Sequence, residues 1–354
     1  MKKIFINPND INHSLVQQAA EIIQKGGIVA LPTETVYGLG VCAGKRKAVD
    51  KLYLLKKRSK NKPLSFALGS IDKVIKDYFD ILPPFGYRLM KKFWPGPLTI
   101  IYYNPRNDRI GVRIPDNIVT NQILSELNDA IYLPSANISG EKEATSASEV
   151  EDAFGNQIDL IVDGGKCVYS QPSTVLDLTS QPFKVLREGV IAERDIVKAF
   201  VRKRILFVCT GNSCRSPMAE FLLRKYLKEI RPYFDDRYEV ISRGISAPEG
   251  LKVSTSVVSI LKDEEGLDAS EFYAQKLDRF TVLSSDLIFC MEDAQSKYIL
   301  EIEPKAEGRV FNLKKFLSSE TGEDIPDPVG RNLSVYREVY SLIKEAILEL
   351  KDWL

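Results

Sequence analysis

Ile205-Leu-Phe-Val208, then Cys209-Thr-Gly-Asn-Ser-Cys-Arg215-Ser216, then Pro217-Met-Ala-Glu220 is the stretch that decides how the second half of the chain folds. The first four residues form an unbroken apolar run, as a strand buried on both faces requires. Pro217 suits an early helical position, where its missing N–H is not needed. The residues between must turn sharply, and Gly211 and Asn212 tolerate the backbone angles of such a turn. A strand–loop–helix junction of this kind aims backbone N–H groups inward at the positive end of a helix, which makes an anion site. Arg215 adds a planar fork that matches two phosphoryl oxygens. The same positive field favours a thiolate at Cys209, and Ser216 can donate to that sulfur. The stretch therefore holds what in-line attack on a phosphomonoester needs, without metal or histidine.

Around this junction the pattern alternates: strand 205–208, helix 217–230, strand 238–242, helix 253–265, strands 286–290 and 309–313, helix 332–351. Such an order predicts a parallel sheet wrapped by helices. Upstream, Leu15 to Ile23 has helical spacing and stops at Lys25-Gly26-Gly27. Strands are predicted at 28–31, 98–103, 130–133, 160–162 and 174–178. Turn signals at Trp94-Pro-Gly-Pro97, Asp163-Gly-Gly165 and Gln181-Pro182 separate them. That half reads as mixed α/β. A short helical tail, Glu193 to Phe200, precedes the basic cluster Arg202-Lys-Arg204 without a Gly/Ser linker, so the expected domains are 1–201 and 202–354.

The bulk numbers bound the function. A chain of 354 residues exceeds one comfortable core and suits two domains. Lys plus Arg is 49 against 48 for Asp plus Glu, so no global basic field argues for nucleic acid. No apolar run approaches the roughly 18 residues that span a bilayer, and the polar stretch Asn7 to His13 leaves no room for a signal h-region. Cysteines number 5 (Cys42, Cys167, Cys209, Cys214, Cys290), which fits a reducing cytoplasm better than a disulfide framework. The expectation is a cytoplasmic protein with no membrane partner. The single histidine, His13, sits in a polar segment and reads as solvated; with no Cys-x-x-Cys pair either, histidine catalysis and a metal site are not expected.

The string Cys-Thr-Gly-Asn-Ser-Cys-Arg-Ser-Pro-Met-Ala-Glu resembles the low-molecular-weight protein tyrosine phosphatase family over about 203–354. The resemblance implies a three-layer α/β domain with a four-stranded parallel sheet. It implies a cysteinyl-phosphate intermediate, with Cys209 and Arg215 catalytic and Thr210, Gly211, Asn212, Ser213, Cys214 and Ser216 in the phosphate loop. The family places a general acid before a proline late in the chain. Here Asp324-Ile-Pro-Asp327-Pro328-Val329-Gly330 makes Asp327 the expected acid and Asp324 the alternative. Val329-Gly330 stands where relatives carry aromatic residues, and Ser213 where they carry a larger aliphatic one. Protein phosphotyrosine and phosphoarginine both stand as substrates. Cys214 is either a disulfide partner for Cys209 or packing. Tyr336 and Tyr340 read as helix packing.

In the first half, Pro32-Thr33-Glu-Thr-Val-Tyr-Gly38, Lys56-Lys57-Arg58 and Pro134-Ser135-Ala-Asn137-Ile-Ser139-Gly140 resemble the YrdC-like family in this order. Gly111-Val-Arg113-Ile-Pro115, Asp163-Gly-Gly165, Ser173-Thr-Val-Leu-Asp177 and Arg187-Glu-Gly189 add to the likeness, which spans about residues 10–191. It implies a mixed α/β domain with a twisted sheet and a concave cleft, and a threonylcarbamoyl-AMP synthase. ATP, with Mg2+, would be a substrate and no cofactor would be tightly bound. The resemblance gives Lys56, Arg58, Ser135, Asn137 and Arg187 to ATP, and Thr33, Arg113 and Ser173 to L-threonine. Bicarbonate is the third substrate, and tRNA and the downstream threonylcarbamoyl transferase proteins are the implied partners. Many members carry a histidine after a Lys-Pro-Leu string, and Lys62-Pro-Leu-Ser-Phe-Ala-Leu68 has none. The competing expectation is a non-catalytic nucleotide- or RNA-binding module that regulates the phosphatase.

Overall fold

The computed structural model describes residues 2–181, 183–230, 233, 237–317 and 324–354; Pro182 of the expected Gln181-Pro182 turn lies outside them. The chain divides into two compact units, Met1–Leu82 with Leu89–Ile196, and Pro83–Arg88 with Val197–Leu354. The division falls within the helix Glu193–Val201, slightly before the expected boundary.

In the first unit, the described strands are β1 (Lys2–Phe5), β2 (Val29–Leu31), β3 (Gly38–Cys42), β4 (Ser65–Ala67), β5 (Leu98–Tyr103), β6 (Arg109–Arg113), β7 (Ile131–Tyr132), β8 (Leu160–Asp163), β9 (Thr174–Asp177) and β10 (Lys184–Arg187). They form one ten-stranded mixed sheet in the order β1-β8-β2-β3-β7-β4-β6-β5-β9-β10. Helices His13–Gln24 and Ile118–Ser125 bury Val16, Ile23, Val119 and Ile123 in one core cluster with Val29, Leu31 and Leu160. Alternate residues Ala30, Leu39, Val41 and Ile161 pack with helices Arg46–Leu55 and Ala147–Phe154. The period-two side-chain direction of strands makes both clusters possible at once. At the start of the first helix, Asn12 accepts the N–H groups of Ser14 and Leu15. His13, beside this cap, is exposed.

The same alternation builds the functional face. Register sets Ser65 opposite Gly111, Ala67 opposite Arg113, and Thr99 opposite Val175. Thr99 and Ile101 of β5, Arg109, Gly111 and Arg113 of β6, and Val175 of β9 therefore share one side of the sheet.

The second unit carries β11 (Lys203–Cys209), β12 (Tyr238–Gly244), β13 (Leu287–Cys290) and β14 (Val310–Asn312) as a four-stranded sheet, ordered β12-β11-β13-β14 with every pairing parallel. Ile205, Phe207 and Cys209 face helices Arg215–Ile230, Thr255–Glu265 and Leu333–Trp353. Leu206 and Val208 face the other way, toward Val282 and Ile299 of helices Arg279–Ser284 and Asp293–Ile302. This is the expected three-layer arrangement, and the apolar run 205–208 is its middle layer. Phe289 lies fully buried, its ring 5.7 Å from Phe207, 5.8 Å from Phe311 and 5.7 Å from Phe316. Truncating it removes packing that the neighbours cannot refill. Phe289→Ala should destabilise the second unit by about 3–5 kcal/mol, measured as the shift of its urea unfolding midpoint.

Candidate active sites

β11 ends at Cys209, paired in register with Gly244 of β12. The helix that follows begins at Arg215, so the connecting loop closes over the carboxyl end of the sheet, where parallel α/β sheets bind ligands. Asn212 sits in the left-handed region at φ 51, as the loop's sharp turn requires. A Cβ on Gly244 would lie 2.7 Å from the Thr210 carbonyl oxygen and 2.8 Å from the Asn212 nitrogen, so only glycine lets the loop settle on β12. Ser246 and Ser254 N–H groups hold the Thr210 and Ser213 carbonyls at 2.9 and 3.0 Å.

The thiol of Cys209 is buried. Its sulfur accepts the Asn212 N–H at 3.2 Å and lies 3.0 Å from Ser216 Oγ. Arg215 is 1% exposed. It donates to the Ile325 carbonyl at 2.9 Å and pairs with both Glu292 and Asp327. The structure thus brings together Cys209, Arg215, Asp327 and the loop residues expected from sequence. Asp324 stands elsewhere: it accepts from the Asp293 N–H at 3.1 Å and Asn312 at 3.0 Å, and pairs with Lys314 at 3.1 Å. Of the two carboxylates weighed for the acid, only Asp327 reaches the loop arginine. Burial pushes the Cys214 thiol up, and its sulfur lies 3.5 Å from the Tyr336 hydroxyl. Cys209 and Cys214 are both free thiols, and Tyr336, expected as packing, also touches this loop.

Sequence reasoning missed Glu292 and Gln295. Gln295 is fully buried and its amide reaches Thr210 Oγ1 at 3.3 Å. Their signal was available: Glu292 lies two residues past the end of β13, at the same carboxyl edge as the loop.

In the first unit, a cavity of about 480 Å³ opens on the shared face of β4, β5, β6 and β9. Thr33, Arg58, Arg113, Ser135, Ser173 and Arg187, all implied by the family likeness, line it. Arg109 joins them unforeseen, paired with Asp177 at 2.5 Å. Arg58 is held by the Lys62 and Pro63 carbonyls, both at 2.9 Å. Arg187 donates to Ser173 O at 3.0 Å and to its hydroxyl at 3.2 Å. Burial lowers both guanidinium groups from their ordinary value. A Cβ on Gly189 would meet the Pro172 carbonyl at 2.1 Å, so this glycine lets the turn after Arg187 pass against the Ser173 backbone.

Lys56 and Asn137 do not line the cavity. The Lys56 ammonium donates to the Ser135 carbonyl, to Asn137 O at 2.7 Å and to Asn137 Oδ1 at 3.1 Å. Asn137 Oδ1 also accepts from Ser135 Oγ at 2.7 Å, and its Nδ2 donates to Glu141 O at 2.7 Å. The family likeness gives both residues to the nucleotide; here their polar atoms are spent on one another and on the loop backbone. Their observed work is to pin the Ser135 loop. Burial first, then the Arg58 charge, lowers Lys56 to about 8, so it keeps its three protons at neutral pH. Among the described residues, no group of three His, Cys, Asp or Glu side chains could hold a metal ion, and no helix is long and apolar enough to cross a membrane.

An α/β unit with an arginine-lined cavity, followed by a parallel α/β unit with a Cys-x5-Arg loop, defines an anion-handling protein of two parts. The chain belongs to the Sua5/YciO/YrdC family, whose model, described as telomere recombination, matches residues 21–189; the low molecular weight phosphotyrosine protein phosphatase model matches 204–354. The chain is 34% identical over 203 residues to a putative threonylcarbamoyl-AMP synthase of Methanocaldococcus jannaschii, covering 54% of this chain and 95% of that one. It is 35% identical over 220 residues to the threonylcarbamoyl-AMP synthase of Pyrococcus abyssi, covering 59% of this chain and 64% of that protein, so it spans less than two thirds of this relative. The crystal structure of P. abyssi Sua5 complexed with L-threonine shares the fold, with TM-score 0.54, 23% identity, 88% of this chain and 99% of that chain covered.

Gly244→Ala tests the loop. Displacing Thr210 and Asn212 by about an ångström should lower phosphatase turnover of p-nitrophenyl phosphate by roughly 100-fold, with the far-UV circular dichroism spectrum unchanged.

Proposed function

We propose that the chain is a bifunctional enzyme. Its first unit joins L-threonine, bicarbonate and ATP into threonylcarbamoyl-AMP with release of pyrophosphate. Its second unit hydrolyses phosphotyrosine or phosphoarginine on proteins. The synthase reading rests on the convergence of Arg58, Arg113 and Arg187 with Thr33, Ser135 and Ser173 on one cavity. Three guanidinium groups among hydroxyls suit a polyphosphate and an amino-acid carboxylate. Catalysis there rests on positioning and charge neutralisation. Its product is a reagent for tRNA modification, so tRNA and the transferase proteins that use the adenylate are the proposed downstream partners, and the cytoplasm the proposed compartment.

In the second unit, the Cys209 thiolate attacks phosphorus. The S–P bond forms as the bond to the leaving oxygen or nitrogen breaks, and Asp327 gives that atom its proton. Water then attacks the cysteinyl phosphate, losing a proton to Asp327, and the thiolate leaves. Arg215 holds two phosphoryl oxygens throughout, and in doing so exchanges its carboxylate partners for the substrate. Asp327 is freed by that exchange at the moment it must face the leaving group.

Cys209→Ser should abolish phosphatase turnover and leave threonine- and bicarbonate-dependent pyrophosphate release intact; equal loss of both would refute separate sites. ATP binding without that release would make the first unit a nucleotide sensor. Arg58→Ala should weaken ATP binding in calorimetry by about 1.5–3 kcal/mol.

Asp327→Asn should slow phosphotyrosine hydrolysis by about 10²–10⁴-fold. An activated aryl phosphate, whose leaving group needs little protonation, should suffer less, whereas a folding defect would lower both rates alike. Ser213→Ile should shift preference from phosphoarginine toward phosphotyrosine in the same assay.

A further inference from the structure

Glu34 comes directly after Thr33, a residue of the cavity wall, and is 4% exposed. Its Oε1 accepts from Arg113 Nη2 at 2.6 Å, and its main-chain carbonyl accepts the Tyr169 N–H at 2.8 Å. Oε2 is buried and has no hydrogen-bond partner among the described residues. Buried carboxylate oxygens are rarely left so, because each has lost water and gained nothing in return. A structural role as a counter-ion for Arg113 accounts for Oε1 and leaves Oε2 unexplained. Thr33, its chain neighbour, and Arg113, its ion-pair partner, both line the cavity, whereas Asp177, the carboxylate paired with the lining Arg109, is committed to that arginine and to the Thr179 N–H at 3.0 Å.

We infer that Glu34 is the ammonium acceptor of an α-amino-acid zwitterion, paired with Arg113 as the carboxylate site. An α-amino acid carries its two charges on one carbon, so a ligand whose carboxylate docks on Arg113 brings its ammonium next to that arginine's own carboxylate partner. An adjacent Arg–Glu pair thereby matches both charges of the zwitterion, and the substrate nitrogen supplies the donor that Oε2 lacks. The inference deepens the amino-acid reading of the cavity proposed above and rests on it. It adds a specificity element that the sequence did not single out, one selecting for the free α-amine on which carbamoylation occurs.

Calorimetry on the full chain tests this, with L-threonine, L-serine, a panel of other α-amino acids, and 3-hydroxybutyrate, which keeps the threonine carboxylate and hydroxyl but lacks the amine. Wild type should bind L-threonine more tightly than 3-hydroxybutyrate by roughly 10- to 100-fold. Glu34→Gln should erase that preference by weakening L-threonine alone, and Glu34→Asp should restore part of it. Equal weakening of both ligands by Glu34→Gln would show that Glu34 acts only through Arg113, and the inference falls while the threonine reading stands. Equal affinity of wild type for both ligands overturns it without any variant, as does binding of no amino acid at all. Glu34-dependent binding of a different α-amino acid, with no response to L-threonine, would keep the zwitterion site and discard threonine as its substrate.

Discussion

One carboxamide governs the chemistry of the second unit. The Asn212 side chain accepts the Gln275 N–H at 2.8 Å and donates its two hydrogens to Ser216 Oγ at 3.0 Å and Ser242 Oγ at 2.9 Å. Both hydroxyls therefore act as acceptors toward it, which leaves the Ser216 hydrogen available to the Cys209 sulfur 3.0 Å away. A neutral amide three residues past the cysteine thus sets which of the Ser216 groups remains free for the sulfur. The Asn212 N–H, 3.2 Å from the same sulfur, adds a backbone donor to that environment.

The two units hold the arginines of their sites in opposite ways. In the second, Arg215 is neutralised by two carboxylates, so its burial is tolerable before any phosphoryl group arrives. In the first, Arg58 and Arg187 rest on carbonyl oxygens and a hydroxyl. Dipoles orient a guanidinium without cancelling its charge, so a positive field survives in the cavity for an incoming anion. Arg113 and Arg109 are the exceptions there, each with a carboxylate of its own. The cavity thus holds arginines of two kinds, some cancelled by a carboxylate and some not.

Much of this was legible in the chain. The run 205–208, the loop after it and Pro217 specify β11, the anion site and the helix start through local rules alone, and the structure follows them with β11 extended at both ends. The strand at 98–103 is likewise found where its apolar run predicts. Shorter strands were uneven: β7 falls inside the predicted 130–133, whereas β4, of three residues, is defined by partners far away in sequence and not by its own pattern. Gly38–Cys42, with glycine at alternate positions, hides a fully buried strand because the packing is supplied by Leu31, Ile131 and Leu133 side chains that fill the space above the glycines. Among site residues, hydroxyls and arginines in quoted motifs reached the cavity. Lys56 did not, because the sequence shows a charge but not the carbonyls of 135 and 137 that enclose it. Glu292 and Glu34 were silent for the same reason, their significance lying in an arginine 77 or 79 positions away.

All five cysteines are buried free thiols, and Cys209 opens the loop whose Asn212 N–H reaches its sulfur and whose far end is Arg215. Cys42 lies 3.7 Å from an Asp129 carboxylate oxygen, and burial pushes Cys167 up to about 11 and Cys290 up to about 12. A negatively charged alkylating reagent is drawn to the first environment and rejected by the others, whereas an uncharged one of similar size gains nothing from the loop. The loop therefore carries its own address for covalent labelling, and an anionic probe that reacts there reports how many molecules in a sample hold it correctly formed, independently of any substrate.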